Sequence, residues 1–172
     1  MSVISYSKRK KTVGEKPICA YSPKATNNLS QICLFEQKIV TCESNVWDNP
    51  LKIANNMITL FQTNLLADEH VYMIAMNTKC QVLGIMEVAH GGVSGTYCNP
   101  REIYQAALLM NASHIVVVHN HPSGVCIPSE SDMALKKRIK AAGEIIGIEM
   151  IDFIIVGDNA YYSSQEEQKK EN

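Results

Sequence analysis

The sequence predicts an α/β fold, a mixed β-sheet sandwiched by helices in a single domain. Short apolar, β-branched runs recur along the chain: His70–Ala75 (HVYMIA), Val82–Val88 (VLGIMEV), His114–Val118 (HIVVV) and Glu149–Gly157 (EMIDFIIVG). Such runs suit buried strands. Stretches with apolar residues at helical spacing lie between them, and alternating helices and strands cover both faces of a sheet. The size agrees, since 172 residues that are 46% hydrophobic and 19% charged suffice for one core.

Residues 1–16 are polar and carry Lys8, Arg9, Lys10 and Lys11, a composition that buries too little apolar surface to order itself, so a flexible basic arm is expected. The domain is expected over 17–165. Within it, 22–30 reads as loop and QICLFEQKIVTC (31–42) as a strand or hairpin. Asn49-Pro50 is an N-cap followed by proline at the first helical position, and Ala54, Met57, Ile58, Phe61 and Leu65 mark the inward face of that helix. The runs at 70–75 and 82–88, joined by Asn77-Thr78-Lys79, make an antiparallel hairpin.

Asn99-Pro100-Arg101-Glu102 reads as a capping box that opens a second helix, with Ile103, Ala106, Ala107 and Met110 facing the core. A third helix starts at Ser129 and presents Met133, Leu135, Ile139, Ala142 and Ile146 inward. The run 149–157 is a buried strand, AYYSS a short last one, and 166–172 a charged, frayed tail.

The chemistry is concentrated in HIVVVHNHPSGVCIPSESDMALKKRIK, 114–140. The strand ends in His119-Asn120-His121. Residues two apart in a strand share a side, so both imidazoles can reach one point. Asp132 falls in the first turn of the helix capped by Ser129. Two imidazoles and one carboxylate leave a tetrahedral divalent ion one open position, the arrangement of catalytic zinc sites. Singly, each residue has an ordinary structural reading: a satisfied strand-end histidine, or a capping pair. Their combination favours a metal, with zinc expected and other divalent first-row ions also suited.

His119, His121, Ser129 and Asp132 fit His-X-His-X7-Ser-X2-Asp, which resembles the JAMM (MPN-type, or JAB) metalloprotease motif. The words HNHPSG, PREI and IIVGD resemble its RadC-like branch, over about 48–164. That resemblance implies the MPN fold and zinc-dependent hydrolysis of an amide or isopeptide bond in a peptide or protein substrate. It gives Ser129 the role of oxyanion stabiliser.

Glu87 ends an apolar strand, where a carboxylate is costly unless paired or used, and the resemblance assigns it the general base and acid role. Glu102 is a competitor already occupied in a capping box. A metal lowers the pKa of its water from about 15.7 toward 7, so hydroxide forms at neutral pH, and Glu87 would take the proton and return it to the leaving amine.

His90, Gly91, Gly92 and Gly95 follow Glu87 as a substrate-groove segment or a plain loop, with His90 outside the metal's ligand set. Cys126 is either a small apolar loop filler or a thiolate for the open metal position.

Nucleic acid is the alternative partner, through a DNA-repair or nuclease role of RadC type. It draws on the basic run Lys136, Lys137, Arg138 and Lys140, although such a run is usually a solvated helix face. RadC-like proteins often carry an N-terminal helix-hairpin-helix region, and neither the length nor the glycine-bearing hairpin for one is present. The net charge of −1 gives no global reason for nucleic-acid binding. A metal-holding but inactive assembly scaffold is a third reading. Six scattered cysteines without a Cys-X-X-Cys pair, no apolar run long enough for a bilayer and no signal peptide lead to an expected cytoplasmic location without membrane partners.

Overall fold

A computed structural model of the chain describes residues 42, 44–91, 98–158 and 160–171. The basic arm, the 31–42 strand candidate except its last residue, and most of the glycine segment after His90 lie outside these. The described residues belong to one compact unit.

Its five-stranded sheet has the order β2-β1-β3-β4-β5, with β1 at His70–Met76, β2 at Val82–His90, β3 at His114–Asn120, β4 at Glu149–Val156 and β5 at Tyr161–Ser163. β3 and β4 run parallel while the other pairs are antiparallel, so the sheet is mixed, as the sequence predicts. β1, β3 and β4 are almost wholly buried, which is why they read as unbroken apolar runs.

Strand alternation splits the core in two. Val71, Met73, Ile115, Val117, Phe153 and Ile155 meet α2 (Pro100–Leu109) and α3 (Glu130–Ile146) on one face. Tyr72, Ile74, Val116, Val118 and Ile154 meet α1 (Pro50–Phe61) and Trp47 on the other.

The helix starts follow their caps. Asn49 accepts the Lys52 N–H at 2.9 Å and Asn99 the Arg101 N–H at 3.2 Å, each followed by proline. Tyr104, absent from the expected inward stripe of α2, is buried and donates its hydroxyl to the Ile139 carbonyl at 2.9 Å, pinning α2 to α3. That approach needs Gly143, where a Cβ would stand 2.4 Å from the Tyr104 hydroxyl.

On α3 the expected stripe is only partly inward. Ile139 is buried and Leu135 and Ala142 half-buried, but Met133 and Ile146 are exposed. The inward line runs through Asp132, Leu135, Ile139 and Gly143; Met133 stands one residue, about 100°, off it, and Ile146 sits in the last turn before the left-handed Gly147.

The tail also differs from expectation, since Ser164–Glu171 forms α4. Its first turn is tied to the buried Asp152 carboxylate, which accepts from the Ser164 hydroxyl and the Gln165 N–H, both at 3.0 Å. Among the described residues, no helix is long and apolar enough to cross a membrane.

Candidate metal centre

β3 delivers His119 on the α2/α3 face, beside Val71 of β1. His121 follows the strand end and is held there because its N–H donates to the Val156 carbonyl at 3.1 Å. The loop between them and α3 closes tightly on β4. The Asp158 N–H donates to the Gly124 carbonyl at 3.1 Å, and a Cβ at Gly157 would fall 2.2 Å from that oxygen. α3 then returns Asp132, buried, through a complete capping box. Ser129 accepts the Asp132 N–H, and Asp132 accepts the Ser129 N–H.

The three side chains converge. Nε2 of His119 lies 3.5 Å from Asp132 Oδ1 and Nε2 of His121 lies 3.2 Å from Asp132 Oδ2. Ligand atoms on a tetrahedral zinc with bonds of about 2.0–2.1 Å stand roughly 3.3 Å apart. The other ring nitrogens fix the tautomers. His119 Nδ1 faces the His70 carbonyl at 3.2 Å and His121 Nδ1 the Val125 carbonyl at 2.7 Å. A carbonyl only accepts, so both Nδ1 atoms carry hydrogen and both neutral imidazoles present Nε2 lone pairs toward a carboxylate. Electron-rich atoms at this spacing require a positive charge among them, either a proton or a metal ion, and the donor set suits a divalent zinc-class ion.

The electrostatics agree. Burial pushes the His119 imidazole below its ordinary range, while Asp132 works against it. The hydrogen bond to Asp132 raises His121. Burial acts to raise the Asp132 carboxyl, but His121 and the Ser129 hydroxyl and N–H hold it well below the usual carboxylate range.

Four other sequence expectations fare differently. Ser129 stands beside the triad, but its hydroxyl hydrogen is donated to Asp132 Oδ2 at 2.6 Å, so in this arrangement it orients a ligand and is not free for substrate. Cys126 packs against the α2/α3 core and is not among the converging ligand atoms. Lys136 donates to the Tyr162 hydroxyl at 3.3 Å, and Lys137, Arg138 and Lys140 are exposed along α3, a solvated face. Glu102 is exposed in the first turn of α2.

Glu87 is not brought to the triad. It pairs across β1 with Tyr72, on the face that packs on α1, and its Oε1 lies 3.1 Å from His70 Nδ1. Another acidic residue, Glu69, to which the sequence analysis gives no role, lies within electrostatic reach of the triad. Glu69 immediately precedes β1 and alternates in phase with Val71, the partner of His119. Its half-buried carboxylate acts on both His119 and His121. Its backbone is fixed, since the Gly91 N–H donates to its carbonyl at 2.9 Å.

A family model described as the RadC-like JAB domain matches residues 48–169. A UPF0758 protein of Alkaliphilus metalliredigens is 34% identical over 145 residues, 83% of this chain and 62% of that protein. Another, of Desulfitobacterium hafniense, is 36% identical over 121 residues, 70% of this chain and 52% of its own length. A third, of Clostridium acetobutylicum, is 39% identical over 119 residues, 69% of this chain and 51% of its own. The chain thus spans about half to three fifths of these relatives. With the family model covering most of the chain and the motif residues assembled in space, the chain belongs to the RadC-like JAB domain family.

Proposed function

We propose that this domain is a zinc-dependent hydrolase of amide bonds, a peptidase or isopeptidase, with His119, His121 and Asp132 as metal ligands and Glu69 as the acid-base residue. The observation that carries the reading is the pair of histidines whose Nδ1 atoms are committed to carbonyls while their Nε2 atoms converge on Asp132. When bound, a divalent ion at this place supplies Lewis acidity and lowers the pKa of a water toward about 7.

The chain's own groups supply the rest. Glu69, in phase with Val71 beside His119 and acting electrostatically on both imidazoles, would take a proton from the attacking water and pass it to the leaving amine. Asp132 stays ionised because Ser129 donates to it twice, at 2.8 Å and 2.6 Å. The His70 and Val125 carbonyls keep both imidazoles turned with Nε2 inward.

The test is zinc content together with hydrolysis of a peptide and isopeptide panel. His121→Ala should bind one zinc fewer than wild type, and Glu69→Gln should keep its zinc while losing about 10²–10⁴ in turnover. Wild-type turnover in Glu69→Gln, or unchanged zinc content in His121→Ala, would refute the reading.

A further inference from the structure

We propose that His70, Glu87 and His90 form a second divalent-metal site, for a zinc-class ion, on the face of β1 opposite the His119–His121–Asp132 triad. Glu87 and His90 are three residues apart, and in a regular strand they would point to opposite faces. β2 is not regular here. Tyr72 pairs with Glu87 but Val71 pairs with Ala89, so Val88 is an extra residue and the bulge returns His90 to the side of Glu87. His90 then pairs with His70 across the strands. Three ligand-type side chains are thereby gathered on one face by a local departure from strand geometry.

Their atoms have metal-site spacing. His70 Nδ1 and His90 Nδ1 lie 3.1 Å and 3.9 Å from the same Glu87 Oε1, against roughly 3.3 Å between ligands on a tetrahedral zinc. All three ligand atoms fall within 4.8 Å of one another. The two rings lie against each other with centroids 4.1 Å apart, and the Nδ1 atom of each is on the Glu87 side.

His90 also has the support that metal-binding imidazoles use. Asp68 Oδ2 lies 3.5 Å from its Nε2, and a hydrogen held there leaves Nδ1 as the lone pair facing the ion. Glu87 and His90 side chains are 44% and 53% exposed, so an ion can enter and retain water. Two imidazoles and a carboxylate select a borderline first-row ion over magnesium or calcium, which take oxygen ligands.

The site adjoins the first one without sharing a ligand. The carbonyl of His70 is the group that orients His119, and Glu69 is its neighbour in the chain. An ion held by the His70 side chain braces the segment that places both.

The test is equilibrium dialysis of the full chain against zinc alone, with metal quantified per chain. His90→Ala should bind one ion fewer than wild type, and Glu87→Gln should lose the same ion or hold it at least tenfold more weakly. Asp68→Asn should retain it with about 10–100-fold lower affinity. The double variant His121→Ala, His90→Ala should bind two fewer. Wild-type stoichiometry and affinity in both His90→Ala and Glu87→Gln would overturn the proposal. Because His121→Ala reports on the triad alone, failure of either site is seen separately from failure of the other.

Discussion

Asn120 Oδ1 accepts the backbone N–H of His70 at 2.7 Å, across the boundary between β3 and β1. The same side chain donates Nδ2 to the Asp68 carbonyl at 3.0 Å, and Asn120 is buried. Together with the His119 contact to the His70 carbonyl, it brackets residues 68–70 against β3. The residue between the two histidines therefore holds the segment that carries Glu69.

Asn120→Ala leaves the half-buried His70 N–H and Asp68 carbonyl without these partners, a cost of about 1–3 kcal/mol in total. Zinc at the His119–His121–Asp132 triad should survive, because Asn120 touches the side chain of no ligand of that site, while turnover falls as Glu69 loses its placement. Denaturant melts and metal quantification on the same preparation check this. Full stability with full turnover would mean that the bracket is redundant.

Ser129→Ala removes both an N-cap and the hydroxyl that holds Asp132 Oδ2. The cap is worth about 1 kcal/mol, and loss of a group supporting a ligand lowers metal affinity about 10–100-fold. Turnover at saturating zinc should change far less than zinc affinity does. If turnover at saturating zinc collapses instead, the hydroxyl reaches substrate, as the motif resemblance implies.

How much of this was legible in the sequence depends on whether a feature is local. The caps at Asn49, Asn99 and Ser129 are written in adjacent residues, and so is the spacing from His119 to Asp132; all four appear in the structure. Choosing between Glu69 and Glu87 required knowing that β1 pairs with β3 as well as β2, and that β2 bulges at Val88. Neither follows from composition, and a one-residue change of phase exchanges the faces. The usable signal was Glu69 in alternation with Val71, Met73 and Ala75, informative only once His119 is placed beside Val71. Similarly, the polar residues of α4 carry no apolar stripe, and their anchor, Asp152, lies on a different element.

In the metal-free protein the triad links stability to pH in opposed directions. His121 is raised above its ordinary 6.5, chiefly by Asp132, so its contribution is present below that value and is lost as pH rises through the folded value. His119 is lowered from 6.5, chiefly by burial, so its contribution is present above 6.5 and is lost as pH falls through its folded value. His121→Ala should therefore show a smaller decline in melting temperature than wild type on the alkaline side, in chelator-treated samples. Zinc competes with protons for the same nitrogens, so the stabilisation it gives wild type should grow with pH. Parallel melting profiles for the two chelator-treated proteins would count against this linkage.

Asp152 is buried in β4 and organises the chain's last elements. Its Oδ1 accepts from the Phe153 N–H at 2.8 Å and from the Ser164 hydroxyl and Gln165 N–H at 3.0 Å, and its Oδ2 from the Ser163 hydroxyl at 2.7 Å. Burial outweighs these four donors and raises the carboxyl's pKa, so its contribution to stability is greatest below the ordinary carboxylate range and diminishes as pH rises through the folded value. Asp152→Asn removes the buried charge, keeps an oxygen for the three donors to Oδ1 and offers an N–H to the Ser163 oxygen. Its neutral-pH stability should lie within about 1 kcal/mol of wild type. Asp152→Ala leaves the Ser163 and Ser164 hydroxyls and the Gln165 N–H without this acceptor, the Phe153 N–H keeping the Ser164 oxygen at 3.0 Å, and should cost about 2–4 kcal/mol, with α4 released to proteolysis. Urea melts of the two variants and limited digestion at neutral pH decide it: if asparagine costs as much as alanine, the ionised carboxylate is itself required to hold α4 on the sheet.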